Sequence, residues 1–284
     1  MLIKVAKVIV NAAPDSLATA IACRLSGRAP RPPVSSQERD AMAQAAPLQK
    51  NAGNVAWVWG KDGPLVILVH GWGGRAAQMA PLAAHLAGLG FRCVAFDMAG
   101  HGESSYPRTS WASFLRDIEA ITRSLDTGVH AYVAHSAGAL TTMAARKLKG
   151  IRGRHYVCIC GPSHPFPPID VVRKKLDPRE SVVERYKQHI AGQFETTWAN
   201  LESGSSFAGA GEDLLLVYDK RDRFVPHTEA ERIKALCPDA RVIKMDGYGH
   251  VRILTAPELA DAVGTFLMPA RRVAGQRHAD SLNV

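Results

Sequence analysis

The stretch Tyr132–Leu140, "YVAHSAGAL", ends an apolar run on His135 and Ser136 and then turns to small residues. A strand with polar residues only at its carboxyl end, followed at once by Ala137-Gly138-Ala139-Leu140, reads as a strand that reverses sharply into a helix. Ala134 and Gly138, two residues before and two after Ser136, leave room for that reversal. The turn pushes the Ser136 hydroxyl out of the sheet and aims the Ala137 N–H at the same space. A lone small-x-Ser-x-Gly arises often by chance, so its meaning depends on what the rest of the chain brings to it.

Outward from this turn the chain alternates. Apolar runs at Val55–Trp59, Leu65–Val69, Phe91–Asp97, His130–His135, His155–Cys160, Asp213–Tyr218 and Ala240–Met245 read as strands. Helical periodicity at Arg75–Leu89, Trp111–Leu125, Ala137–Leu148, Pro226–Leu236 and Ala256–Leu267 separates them. Strands apolar on both faces, each followed by a helix, predict an α/β fold with a mainly parallel central sheet covered by helices on both faces. Residues 51–268 would form this domain. Residues 162–210 break the rhythm with prolines and a polar helical stretch of six basic and six acidic residues, which predicts an inserted lid. Residues 1–50 read as an N-terminal helical extension and linker. The linker is "GRAPRPPVSS" (Gly27–Ser36), and Ser35 with Glu38 fits a capping box opening a helix to about Ala46. Residues 269–284 lack periodicity and read as a flexible tail.

Composition narrows the function classes. The net charge of +9 points toward nucleic acid or an acidic surface, but residues 1–50 hold seven basic and three acidic residues and residues 271–284 three and one. Most of the excess lies outside the main domain, and no basic-aromatic stripe occurs, so nucleic acid is not expected as a partner. The five cysteines are odd in number, and Cys93, Cys158 and Cys160 lie in apolar runs. They read as reduced core thiols of a cytoplasmic protein, and Cys158-x-Cys160, with both side chains on one strand face, completes no metal site. No run of about 18 apolar residues predicts a membrane span. Residues 1–30 can form an amphipathic segment broken at Pro14; packing on the protein's own core is favoured over weak peripheral contact with a membrane.

In a parallel sheet, ligands and reactive groups gather at the carboxyl ends of the strands. "HGWGG" (His70–Gly74) follows the second apolar run, and its three glycines allow backbone N–H groups to approach a ligand. "DMAGHGESS" (Asp97–Ser105), "DKRDRFVP" (Asp219–Pro226) and "DGYGH" (Asp246–His250) follow later runs. Ser136, Asp222 and His250 come in the order nucleophile, acid, base, each after a separate strand.

With these five segments in order, the chain resembles the α/β-hydrolase fold proteins of the serine esterase and lipase-like kind, over roughly Val55 to Leu267. The elbow departs from the family's pattern in having Ala134 where glycine is usual. The resemblance implies an α/β-hydrolase fold and a catalytic triad of Ser136, Asp222 and His250. It also implies an oxyanion hole made by the backbone N–H groups of Trp72 and Ala137. Asp219 is a second acid candidate, with Asp222 preferred because it occupies the family's acid position before Val225-Pro226. His70, Gly71, His135, Phe194 and Trp198 are candidates to line the substrate pocket. No metal or other cofactor is implied. The expected activity is cleavage of a small-molecule carboxylic ester or thioester through an acyl-enzyme. Carbon–carbon bond hydrolysis, acyl transfer, and a non-catalytic ligand receptor are the alternatives.

Overall fold

The computed structural model describes residues 2–51, 54–125 and 127–268. Three helices, α1 (Leu2–Ala12), α2 (Asp15–Ser26) and α3 (Ser36–Met42), precede the first strands, β1 (Ala46–Asn51) and β2 (Asn54–Trp59). Then come β3 (Leu65–Val69), α4 (Ala76–Gly88), β4 (Arg92–Phe96), α5 (Trp111–Ser124), β5 (Val129–His135), α6 (Ala137–Leu148) and β6 (Gly153–Ile159). An insertion of α7 (Phe166–Leu176), α8 (Glu180–Gln193) and α9 (Trp198–Glu202) leads to β7 (Leu214–Asp219). The chain continues through α10 (Glu229–Leu236), β8 (Arg241–Met245), the short α11 (Gly249–Arg252) and α12 (Pro257–Leu267).

The eight strands form one sheet in the order β1-β2-β4-β3-β5-β6-β7-β8. β1 and β2 pair antiparallel, β2 pairs antiparallel with β4, and every later pairing is parallel. The α/β-hydrolase expectation is met in the sheet and its helical cover. Side-chain alternation explains the cover. In β3, Leu65, Ile67 and Val69 face a core shared with Phe114, Leu140 and Met143. Val66 and Leu68 face the opposite core, with Met79, Leu82 and Leu86 of α4 and Leu259 and Val263 of α12. All five β3 residues are buried. Each such aliphatic side chain contributes about 1.5–3 kcal/mol by leaving water, so both faces must be covered.

Two features differ from the sequence-based expectation. The helix capped by Ser35 and Glu38 has its capping box but ends at Met42, because β1 begins at Ala46. β1 has a proline and no β-branched residue, so it does not read as a strand. As an edge strand it tolerates Pro47, which lies opposite Trp57. The second difference is β6, which stops at Ile159. Cys160 has φ +48°, so strand alternation breaks there. Cys158 and Cys160 therefore join opposite cores and do not share a face. All five cysteines are free. The tail expected at 269–284 lies outside the described residues.

The N-terminal helices pack inward. Val10, Ala18 and Ala22 are fully buried in the core on the α5–α6 side of the sheet. Arg179, just before α8, binds the end of α1 and the start of α2 together. Its guanidinium donates to Asn11 O at 2.7 Å and Ala13 O at 2.6 Å and pairs with Asp15 at 2.8 Å. Past α2, Thr109 N–H donates to Gly27 O at 3.0 Å, and Pro30 packs against Gly73. The N-terminal segment thus reaches the loop after β3. No helix among the described residues is long and apolar enough to cross a membrane.

Candidate active site

Ser136 stands between β5 and α6 at φ +53°, ψ −122°. Such a backbone is sparsely populated for a residue with a side chain and costs on the order of 1–3 kcal/mol. Its neighbours hold it there. Its N–H donates to Ile159 O at 2.8 Å, and its carbonyl accepts from Ala139 N–H at 2.9 Å. The crowding at this turn explains the small residues. A Cβ at Gly138 would lie 2.3 Å from His70 O, and one at Gly71 would lie 2.9 Å from the Ser136 Cβ. Glycine at 138 therefore lets α6 start against the end of β3, and glycine at 71 brings the "HGWGG" loop onto the serine.

The structure brings Ser136, His250 and Asp222 together from three strand ends. His250 Nε2 lies 2.9 Å from Ser136 Oγ, and His250 Nδ1 lies 2.6 Å from Asp222 Oδ2. A carboxylate only accepts, so Nδ1 carries the proton and Nε2 is left to accept from the serine hydroxyl. The Asp222 side chain is inaccessible to solvent and that of His250 is 13% exposed. Burial alone would raise the Asp222 pKa. The hydrogen bond and charge of His250, with the N–H groups of Val225 and Phe224, outweigh it and hold the carboxyl below its ordinary value. Those two N–H groups reach Asp222 Oδ1 at 3.0 and 2.7 Å.

Asp219 has a different position. Its oxygens accept from Arg221 N–H at 2.8 Å and Tyr248 N–H at 2.9 Å. It is buried, yet N–H groups of Tyr248, Gly249, Arg221 and Gly247 overcome that burial and lower its pKa. Asp219 therefore shapes the loop that carries His250, and Asp222 reaches the imidazole.

Ala137 is the first residue of α6, so its N–H has no acceptor within the helix. Trp72 follows Gly71 beside the serine. Its ring stacks on Phe114 with centroids 5.4 Å apart and touches Trp111 at 5.2 Å. A serine hydroxyl facing an imidazole nitrogen, with the Ala137 N–H beside it, can attack an electrophilic carbon and shelter the resulting anion.

The other candidates divide. His135 is brought to the site as a support: its Nε2 donates to His250 O at 2.8 Å, and Gly71 closes over its other nitrogen. His70 accepts from Met98 N–H and donates to Gly71 O at 2.8 Å, which fixes the loop. His101 does the same for Gly73, whose N–H it accepts at 2.9 Å. Phe194 does not line the serine's surroundings. It is 1% exposed, packs on Trp111 at 5.5 Å, and borders a depression with Ala144 and Leu148. Ala144 lies about 12 Å along α6 from Ser136 at 1.5 Å per residue. Its place in the insertion suggested a pocket, but the aromatic ring is taken into the core. Trp198 lies against His164 and under the Lys187 ammonium, 5.6 Å from the ring.

One neighbour is absent from the sequence-based set. Cys160 Sγ, an Asp222 oxygen and a His250 nitrogen all lie within 4.8 Å of one another. Thiolate, imidazole and carboxylate would suit a borderline cation such as zinc, but the Asp222–His250 bond already occupies two of these atoms. No periodicity signals this contact, because the positive φ at Cys160 turns the thiol away from the face that alternation assigns to it.

A profile of the Alpha/beta hydrolase family matches residues 66–262. A non-heme chloroperoxidase of Streptomyces lividans is 32% identical over 83 residues, 28% of this chain and 30% of that protein's length. Among solved structures, an epoxide hydrolase from Vigna radiata aligns with TM-score 0.60 at 17% identity, covering 80% of this chain and 98% of the other. A monoacylglycerol lipase of Paleococcus ferrophilus aligns with TM-score 0.55 at 23% identity, covering 75% and 97%. At these identities the structural likenesses establish the fold alone.

The buried histidines predict a pH dependence of stability. Burial pushes His70 down to about 4 and His101 and His135 to about 3. An unfolded chain protonates these rings near pH 6.5, and the folded protein keeps them neutral well below that. The unfolded state therefore binds more protons, and stability falls as pH falls from about 6.5 to 4, by roughly 1.4 kcal/mol per pH unit for each ring. Thermal melts across this window should show a steadily falling Tm, with net proton uptake on unfolding from these three rings and from His155 and His164, which burial also lowers. A flat profile would mean that the rings are charged in the folded state.

Proposed function

Since the chain belongs to the alpha/beta hydrolase family, we propose that it cleaves a carboxylic ester or thioester through an acyl-enzyme. The observation that carries this reading is the unbroken relay from Ser136 Oγ to His250 Nε2 at 2.9 Å and from His250 Nδ1 to Asp222 at 2.6 Å. His250 takes the hydroxyl proton as Ser136 Oγ bonds to the substrate's carbonyl carbon. The N–H groups of Trp72 and Ala137 receive the oxyanion. The carbonyl re-forms, the C–O or C–S bond breaks, and the His250 proton goes to the departing alcohol or thiol. Water then repeats the sequence and frees the acid. Asp222 orients the imidazole and stays ionised throughout, which its depressed pKa supports.

The insertion of α7–α9 serves in this reading as a lid over the substrate. Trp72 also borders a small cleft of about 50 Å³ together with Cys23, Gly27, Trp111, Tyr186 and Ile190. The free thiols support a reducing, cytoplasmic compartment. Carbon–carbon bond hydrolysis and acyl transfer would use the same relay, with a different bond broken or a different acceptor in place of water. A non-catalytic receptor would have no need of the aligned relay. Epoxide or halide displacement through a covalent ester needs a carboxylate where this chain has Ser136.

Ser136→Ala should abolish turnover of p-nitrophenyl esters while the protein stays folded, and retained turnover would remove the assignment. Asp222→Asn should lower kcat by about 10³–10⁴ by disturbing the imidazole tautomer. Asp219→Asn should act more mildly, through the His250 loop, and the reverse ranking would exchange the two acids.

The proposal extends to a weak peripheral membrane contact through residues 1–30. Val5, Val8 and Ile9 share one side of α1 and are 51%, 69% and 45% exposed, next to Lys7, which pairs with Asp177 at 3.0 Å. Anionic vesicles should sediment the full chain at low salt, and Val8→Glu should release it. Equal recovery of both proteins in the supernatant would limit α1 to its packing role.

A further inference from the structure

We propose that Cys160, at the carboxyl end of β6, is a positioning residue whose thiol donates a hydrogen bond to Asp222 and fixes the carboxylate that faces His250. The inference rests on the hydrolase reading only for its kinetic consequence; the contact itself stands independently of it.

Asp222 has no access to water, and an ionised carboxylate offers about four acceptor positions. Phe224 N–H, Val225 N–H and His250 Nδ1–H fill three of them. Cys160 Sγ lies within 4.8 Å of both the carboxylate and the imidazole and is itself fully buried. In this proposal its thiol fills the fourth position.

The backbone is arranged to deliver it. Cys160 has φ +48°, a conformation that residues with a side chain adopt only where their surroundings enforce it. Its N–H donates to Val217 O at 2.7 Å in β7, which anchors the turn to the strand that leads to Asp219 and Asp222. Gly161 then packs on the Ala139 methyl, so α6 blocks movement on the other side.

The electrostatics agree. Burial, followed by the charge of Asp222 and the hydrogen bond to it, raises the thiol pKa well above its ordinary value. A backbone N–H of Asp219 acts in the opposite sense. The sulfur therefore keeps its proton, and a neutral thiol beside a carboxylate is a donor. Asp219, Asp222 and the buried Tyr218 surround the thiol, and His250 and His135 lie beyond Asp222. A thiol is a weak donor, so its role is to limit the rotation of Asp222 while taking little of its charge.

The test compares Cys160→Ala, which removes the donor, with Cys160→Ser, which restores one of similar size. Cys160→Ala should lower kcat about tenfold, the low end for partners that orient a functional side chain, with KM unchanged. The thiol withdraws only a small part of the charge on Asp222, so its loss should move the acidic limb of the kcat–pH profile slightly to higher pH. Cys160→Ser should recover most of kcat and return the limb. Equal kcat in wild type and Cys160→Ala, or equal loss in both variants with an unmoved limb, would overturn the proposal.

Infrared spectroscopy supplies a readout that needs no turnover. The S–H stretch of Cys160, isolated by subtracting the Cys160→Ala or Cys160→Ser spectrum, should lie at the low frequency of a hydrogen-bonded thiol. It should rise in Asp222→Ala. A band unmoved by Asp222→Ala would refute the contact. A band that moves in a protein without esterase activity would retain the contact and remove the hydrolase reading instead.

Discussion

The left-handed backbone of Ser136 is the constraint around which the site is organised. A strand and a helix meet there with no intervening loop, and the residue between them carries a side chain in a conformation that costs about 1–3 kcal/mol. Hydrogen bonds on both sides of the peptide unit, to Ile159 and from Ala139, resist relaxation. The space around the turn is as important. Gly138 meets the His70 carbonyl and Gly71 meets the serine, so α6, β3 and the loop after β3 converge on one residue. The result is a hydroxyl held away from the sheet and next to the Ala137 N–H.

Two carboxylates divide the work of presenting the imidazole. Asp219 gathers backbone N–H groups and sets the path of the loop, while Asp222 meets the ring. Three further histidines serve as neutral hydrogen-bonding braces. His70 and His101 fix the glycine-rich loop, and His135 holds the His250 carbonyl. Burial keeps all three uncharged far below pH 6.5, so they bring no positive charge to the Ser136 turn. The same burial makes the fold sensitive to acid.

The sequence was legible where chemistry coincides with strand ends. Ser136, Asp222 and His250 each follow an apolar run, and a mainly parallel sheet gathers such ends at one edge. Ala134, the off-pattern elbow residue, is 1% exposed and pairs with Val69 and Cys158, so a methyl is accommodated there. Legibility fell where tertiary contacts decide. β1 is a strand only because β2 pairs with it. Phe194 reads as lid and substrate pocket but is drawn into packing with Trp111. Cys160 alternates as a strand residue, and a positive φ turns it toward Asp222. The packing of Val10 and Ala18 is suggested by amphipathic spacing, but the reach of the N-terminal segment to Gly73 has no signature in sequence.

The proposed function requires Ser136 to be an activated nucleophile. Reaction of the intact chain with a fluorophosphonate, followed by peptide mapping, tests it most directly. One adduct per chain is expected, on Ser136, formed far more slowly in His250→Ala. Labelling of another serine, or a rate indifferent to His250, would contradict it.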